Sequence, residues 1–220
     1  IFDRITEMKP LDPPDTHHLQ AAIGWLELEN ADESFLELNK ISNANQQHPD
    51  VLELRWQTHA KRGKWGSAVE ISNLLVRQAP GRPSGWIHRS FALHEMNQTE
   101  KAHVLLLPAL AVFEKNWIIP FNIACYLCQM GKTKEAMEKL KLAIERGGDD
   151  AMNTALNDPD LVPLLGEMGL GIALMSYDGK LCWGFNADYE LVPDLKEFAA
   201  RIRFSFEELQ IAVGIRAVED

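Results

Sequence analysis

The chain has 220 residues, 46% hydrophobic and 25% charged, and its net charge of −10 disfavours nucleic acid or anionic lipid as a main partner. Three cysteines are too few for a disulfide framework, which favours a reducing compartment and predicts a cytoplasmic protein. The longest apolar run, VLLLPALAVF at 104–113, is about half as long as a bilayer span requires, so no membrane span is predicted.

The first predicted helix follows a lead-in of residues 1–14 and opens with the adjacent histidines His17 and His18. Paired histidines can act as acid/base groups or metal ligands, but no carboxylate follows them at a supporting spacing. No glycine-rich phosphate loop, G-x-S-x-G or H-E-x-x-H motif occurs in the chain. We therefore expect no catalytic residue, no cofactor and no metal site, and an enzyme acting through these histidines is the least supported hypothesis.

A period of 34 residues runs through the first two thirds of the chain. Gly63, Asn97 and Gly131 are spaced by 34, and each is followed five residues later by an alanine, at 68, 102 and 136. Glycine or asparagine suits the left-handed conformation at a helix end, and the alanine permits close helix packing. The small residues Ala22, Ser90 and Ala124 share a second position of the repeat, where Trp56 breaks the pattern.

This spacing resembles the tetratricopeptide repeat family, and the resemblance covers residues 15–150. It implies a mainly α-helical solenoid of helical hairpins with units at 15–48, 49–82, 83–116 and 117–150, the first of them degenerate. We expect residues 151–167 to form a capping helix, with Asp158 or Asp160 near its start, because the last repeat of a solenoid otherwise leaves an apolar face in water.

In this family the first helices of successive repeats line a concave groove that binds a peptide or a helix. Positions 2, 5, 9 and 12 of each unit are then expected to face the groove. The lysine, arginine and asparagine side chains that hold acidic peptides are absent there, which argues against an acidic peptide. Ile87, Phe91 and Phe121 instead favour a protein or peptide partner with apolar side chains. The alternative is that Phe91 and Phe121 only pack between repeats. The predicted groove residues are Glu53, Gln57, Ile87, Phe91, His94, Phe121, Cys125 and Cys128.

Two further motifs lie within the repeats. Cys125 and Cys128 form a C-x-x-C, but a structural zinc site normally needs a second pair of ligands, so we interpret them as core or groove residues. The basic segment AKRGKW at 60–65, with Arg55 and Arg77, is either a solvated surface or a contact for an acidic partner.

The sequence pattern changes near the end of the chain, where it predicts a ββα appendage over residues 168–220. Asp178-Gly179 is a strong hairpin-turn signal, and the returning strand places Leu181, Trp183 and Phe185 on one face. Asp194 and Glu197 form a capping box. The helix that follows carries an apolar stripe of period 3.6, made of Leu195, Phe198, Ala199, Ile202, Phe206 and Leu209.

This segment, about 170–213, resembles the C-terminal end of the wax ester synthase / diacylglycerol acyltransferase family. Its matching positions are Ser176, Tyr177, Gly179, Leu181, Gly184, Ala187, Asp188, Val192, Pro193 and Asp194. The family's catalytic H-H-x-x-x-D-G is not restored by His17 and His18, because Ala22 and Ile23 stand in place of its Asp and Gly. The resemblance thus implies a detached, non-catalytic piece, and the alternative is an unrelated hairpin.

Taken together, the sequence predicts a non-catalytic scaffold or adaptor that binds a partner segment in its concave groove. The alternative function is an accessory or remnant unit of an acyltransferase of neutral-lipid synthesis. Unpaired N–H and C=O groups at a strand edge can pair with another strand. The appendage is therefore expected to mediate self-association or to pack against the helix near Leu161–Leu165.

Overall fold

The computed structural model describes residues 10–167, 171–177, 180–186 and 195–212. It is mainly helical and divides into two compact units, residues 1–161 and 162–220. The helices of the first unit are α1 (Asp15–Glu27), α2 (Ala31–Lys40), α3 (Pro49–Lys61), α4 (Trp65–Gln78), α5 (Pro83–Glu95), α6 (Thr99–Leu106), α7 (Ala109–Val112), α8 (Ile118–Gln129) and α9 (Thr133–Asn157).

Helices α1, α3, α5 and α8 each open a helical hairpin at intervals close to 34 residues. Proline occupies the first turn of α3 and of α5, where its missing N–H costs no hydrogen bond and its fixed φ suits the helix. Asn30 caps α2 by accepting a hydrogen bond from the backbone N–H of Glu33 at 3.2 Å. The prolines and the asparagine cap thus favour helix starts at the positions that the repeat period predicts.

The turn inside each hairpin uses one left-handed residue. Gly63, Asn97 and Gly131 have φ of 65°, 58° and 73°, which confirms the conformation predicted for them. The equivalent position of the first repeat holds Glu29, and it also has a positive φ, 59°. The degenerate first repeat therefore keeps the backbone geometry of the others without the residue that normally relieves its strain.

The small residues of the repeat lie between the paired helices. Ala68, Ala102 and Ala136 have no exposed surface, as close helix packing requires. Ser34 takes this position in the first repeat, is equally buried, and places its Oγ 3.1 Å from Thr58 Oγ1. The hydroxyl of Thr58 in turn donates to the carbonyl of Leu54 at 2.8 Å. The first repeat therefore packs a satisfied polar pair where the others pack alanine.

A buried carboxylate connects the beginning and the end of the first repeat. Asp15, at the start of α1, accepts hydrogen bonds from the Ser42 backbone N–H at 2.9 Å and from Asn45 Nδ2 at 2.7 Å. The Ser42 hydroxyl donates to the same carboxylate at 2.5 Å. These bonds, the Ser42 hydroxyl first, hold the pKa of Asp15 below its usual value. The segment after α2 is thereby tied to the beginning of α1.

The expectation of a single capping helix over 151–167 is wrong. Helix α9 bends at Gly148 (φ 55°, ψ −135°) and continues to Asn157, so Asp158 ends a helix instead of starting one. Pro159 follows, and a residue before proline is driven out of the helical conformation, in agreement with the extended ψ of 119° at Asp158. A 3₁₀ turn (Pro159–Leu161) comes next, and α10 (Val162–Glu167) is a separate short helix.

The second unit contains α10, strands β1 (Gly171–Tyr177) and β2 (Lys180–Asn186), and helix α11 (Leu195–Ala212). The strands pair antiparallel, from Gly171 opposite Asn186 to Tyr177 opposite Lys180. The predicted turn at Asp178-Gly179 and the predicted N-cap at Asp194 lie outside the described residues. On α11, Phe198 and Phe204 have 36% and 62% of their surface exposed.

Candidate partner-binding groove

The first helices of repeats one to three, α1, α3 and α5, line an open groove of about 820 Å³. Most of its lining side chains are apolar, and α1 contributes three of them. The residues that line it are Leu19, Ile23, Leu26, Glu27, Asp50, Glu53, Leu54, Trp56, Gln57, Ala60, Lys61 and Phe91.

An aromatic cluster lies at the α3–α5 side of this groove. The Trp56 ring stacks on His88 with 3.8 Å between ring centroids and 7° between ring planes. Phe91 meets Trp56 edge-on at 6.2 Å and Trp65 edge-on at 5.8 Å, yet 38% of its surface stays exposed. Phe91 therefore both packs between repeats and presents part of its ring in the groove, so the two roles considered for it are compatible.

Burial lowers the pKa of His88 to about 4, so its imidazole is neutral at pH 7. A neutral ring can lie flat on Trp56 without the cost of burying a charge. The indole N–H of Trp56 has no hydrogen-bond partner in the described part of the chain. The floor of the groove is thus an uncharged aromatic surface next to the aliphatic residues of α1.

The acidic groups of the groove are partly balanced by a cation. Arg82 Nη1 lies 2.6 Å from Asp50 Oδ1 and 3.3 Å from Glu53 Oε1. These carboxylates, Asp50 first, raise the pKa of Arg82. The Ser84 hydroxyl also donates to Glu53 at 2.6 Å. The carboxylates are therefore oriented at the groove edge, and the centre remains apolar.

The concave side of the fourth repeat is closed, which corrects the prediction of a groove running over all of repeats two to four. Phe121, Cys125 and Cys128 have only 4%, 4% and 3% of their surface exposed. The 3₁₀ turn at Pro159–Leu161 packs on α8, and Leu161 is 1% exposed. The register assigned these side chains to the concave face, but it carried no information about the segment that folds back after Gly148.

His94 belongs to this closed end. Its Nε2 lies 3.0 Å from Asp160 Oδ2, and its Nδ1 lies 2.9 Å from Thr99 Oγ1. Gln129 Nε2 donates to the Asp160 carbonyl at 3.0 Å. Both polar side chains are therefore engaged by the chain's own 158–161 segment instead of being open to a partner.

Of the predicted groove residues, the structure brings Glu53, Gln57 and Phe91 together in the open groove, while Ile87 is half-buried and outside its lining. The prediction missed the α1 side, where Leu19, Ile23 and Leu26 occupy positions 5, 9 and 12 of the first repeat. The same register rule would have found them had it been applied to the degenerate unit.

The other motifs have intrachain partners. His18 Nδ1 lies 2.9 Å from Glu37 Oε2, and the hydrogen bond from Lys40 contributes most to the lowered pKa of Glu37. In the basic segment, Arg55 donates to the carbonyl of Leu38 at 2.7 Å, and Arg62 pairs with Asp32 at 2.8 Å. These pairs lie apart from the groove lining. None of the helices described is long and apolar enough to cross a membrane.

Comparison with known proteins supports both resemblances. A solved tetratricopeptide-repeat protein of Thermus thermophilus, TTC0263, superimposes with a TM-score of 0.56 at 16% identity, covering 89% of this chain and 99% of its own. The crystal structure of MamA gives 0.56 at 16% identity, with 70% and 85% covered. YrrB, described as a TPR protein with an unusual peptide-binding site, gives 0.52 at 13% identity, with 70% and 84% covered.

No curated protein sequence matches the chain. The sequence profile of the WS/DGAT C-terminal domain matches residues 160–210. The helical hairpins thus have the tetratricopeptide-repeat fold, and the end of the chain is similar to the C-terminal domain of the wax ester synthase / diacylglycerol acyltransferase family.

Proposed function

We propose that the chain is a non-catalytic, cytoplasmic scaffold or adaptor that binds a protein segment in the groove of its first three repeats. The observation that carries this proposal is the open, mostly apolar groove between α1, α3 and α5. An exposed apolar groove with a polar edge is the usual form of a peptide- or helix-binding surface. The peptide-binding site named for the fold relative YrrB supports the same use of the fold.

The dimensions of the groove limit the length of the partner segment. Adjacent packed helices lie about 8–10 Å apart, so three of them span roughly 16–20 Å between the outer axes. A helical partner would cover this with about 11–13 residues at 1.5 Å per residue, or an extended one with about 5–6. We infer that the partner presents two or three apolar side chains, which contact Ile23, Trp56 and Phe91.

A matched pair of surface variants tests this proposal. Ile23 in the groove is 41% exposed and Val104 on α6 is 62% exposed, so glutamate at either position leaves the core intact. Proteins retained by the wild-type chain are identified, and their binding is measured with purified components. We expect Ile23→Glu to weaken binding by at least tenfold and Val104→Glu to leave it unchanged. Equal binding by the three chains would refute a role for the groove.

A second candidate function rests on the profile match at 160–210. We propose that β1, β2 and α11 form one ββα unit, an accessory or remnant piece of an acyltransferase of neutral-lipid synthesis without its H-H-x-x-x-D-G. The exposed Phe204 and the strand edges favour self-association of this unit. Light scattering on the full chain and on a chain lacking residues 168–220 tests this, since the same number of chains per particle in both would contradict it.

The chain as a whole is not expected to catalyse acyl transfer. Acyl-CoA and a long-chain alcohol incubated with the full chain should yield no ester above the blank. Ester formation that disappears in His18→Ala would contradict both the non-catalytic assignment and the adaptor proposal.

A further inference from the structure

The closed end of the concave face brings together a thiol and two carboxylates from separate parts of the first unit. Cys125 comes from α8, whereas Asp158 and Asp160 come from the segment that follows α9. The Cys125 Sγ and one carboxylate oxygen of each aspartate lie within 4.8 Å of one another. In the sequence Cys125 is more than 30 residues from the aspartates, so the C-x-x-C motif alone did not indicate this arrangement.

In the described part of the chain, the two carboxylates lie next to the buried thiol without a lysine or arginine to balance their charge. Within the described part of the chain, no lysine or arginine pairs with Asp158 or Asp160, and only His94 contacts the cluster with a group that can carry positive charge. A bound cation would balance the negative charge of the two carboxylates.

Neighbouring groups already hold the ligands in fixed orientations. Asp158 Oδ1 accepts the backbone N–H of Asp160 at 2.9 Å, which fixes the plane of its carboxylate. His94 Nε2 contacts Asp160 Oδ2, and Thr99 orients the opposite ring nitrogen. Gln129 fixes the Asp160 backbone carbonyl. Such outer hydrogen bonds to the ligating groups are typical of metal sites in proteins.

We propose that Cys125, Asp158 and Asp160 bind a divalent transition metal of the zinc class, with His94 positioning Asp160. Thiolate together with carboxylate favours zinc or cobalt over magnesium and calcium, which require sets of oxygen ligands. Three protein ligands leave a fourth tetrahedral position for water. The bound metal would fasten the 158–161 segment to α8 and so keep the concave face of the fourth repeat closed. This inference does not depend on the proposed partner binding.

Cobalt is the probe for the test, because a thiolate ligand gives Co²⁺ a charge-transfer absorption that carboxylates alone do not. The full chain without a polyhistidine tag, carrying Cys182→Ser to remove the cysteine of β2, is titrated with Co²⁺ and then with Zn²⁺. We expect one equivalent of Co²⁺ to produce the band and Zn²⁺ to abolish it. Absence of the band, with no Zn²⁺ uptake by calorimetry, would overturn the proposal.

Two cysteine variants in the same background separate this site from other thiols. Cys125→Ser should abolish the band and weaken Zn²⁺ binding by more than about 100-fold, since loss of an outer partner alone costs about 10–100-fold. Cys128→Ser, which changes another buried cysteine of α8, should keep both. A band that survives Cys125→Ser, or that disappears only in Cys128→Ser, would refute the assignment.

Asp158→Asn is the control in case Cys125→Ser does not fold. Its amide oxygen can still accept the Asp160 N–H, so the turn is preserved while a charged ligand is lost. With an unchanged circular dichroism spectrum, this variant should bind Zn²⁺ at least tenfold more weakly. Affinity equal to that of the parent chain would exclude Asp158 as a ligand and the site with it.

Discussion

The four hairpin turns form a natural series in which the backbone conformation is constant and the residue varies. Glu29, Gly63, Asn97 and Gly131 have φ between 58° and 73°. A side chain in the left-handed region costs roughly 1–2 kcal/mol, and glycine avoids this cost. Glycine also loses more entropy on folding, by about 0.4–1 kcal/mol. We therefore expect Glu29→Gly to raise the free energy of unfolding by about 1 kcal/mol.

The contacts of Glu29 change this estimate little. Its carboxylate lies 3.6 Å from Lys61 Nζ with 83% of the side chain exposed, and such surface pairs contribute about 0–1 kcal/mol. Glu29→Ala is the matched control, because it removes the ion pair and keeps the strain. In the opposite direction, Gly63→Ala should cost about 1 kcal/mol through backbone strain alone, since an added Cβ there would meet no atom within 4 Å.

Urea unfolding followed by tryptophan fluorescence and by circular dichroism measures these differences. Glu29→Gly should unfold at a higher urea concentration than both the wild type and Glu29→Ala, with the same slope. If Glu29→Gly is no more stable than Glu29→Ala, then the first turn is not left-handed, and the first repeat does not have the geometry described for it.

Three further predictions concern helix packing and the pH dependence of stability. Ala102→Phe should cost about 1–3 kcal/mol by overpacking a position with no exposed surface, whereas Val104→Phe, two residues along, should cost less than about 0.5 kcal/mol in the same unfolding assay. Gly147→Ala should also cost about 1–3 kcal/mol, because the new Cβ would lie 2.5 Å from Trp117 Cγ. His88 has a pKa of about 4 in the folded protein and 6.5 in the unfolded chain, so the folded state binds fewer protons and stability falls as the pH drops through this interval. This amounts to roughly 2–3 kcal/mol between pH 7 and 4.5, a loss that His88→Gln should not show when unfolding is compared at the two pH values.

The features that could be predicted from the sequence are those set by local residues at fixed spacing. The left-handed Gly63 and the buried Ala102 follow from what a tight turn and a close helix contact require at any repeat. The participation of α1 in the groove was missed because Glu29 and Ser34 replace the expected glycine and alanine. Both replacements are tolerated at a moderate cost, so a unit that looks degenerate in sequence still folds as a repeat.

The closed end of the groove could not be predicted in the same way. It depends on the bend at Gly148, which redirects the chain, and on contacts between residues far apart in sequence, such as His94 with Asp160. A residue spacing specifies which face of a helix a side chain occupies, but not which segment later covers that face. Phe121 and Cys125 were therefore assigned to the correct helix. Their surface is not open to a partner, because the chain's own 158–161 segment covers it.

The position at which the repeat pattern breaks is also the position that shapes the open groove. Ala22, Ser90 and Ala124 fill the tight space between helices without exposed surface, and Trp56 occupies the equivalent place on α3. An indole cannot fit where an alanine methyl fits, so its ring lies on His88 and lines the groove. Burying an indole N–H that has no partner among the described residues and holding His88 neutral both cost stability. Natural sequences accept such local costs mainly at functional sites, which supports the proposal that an apolar side chain of the partner contacts Trp56.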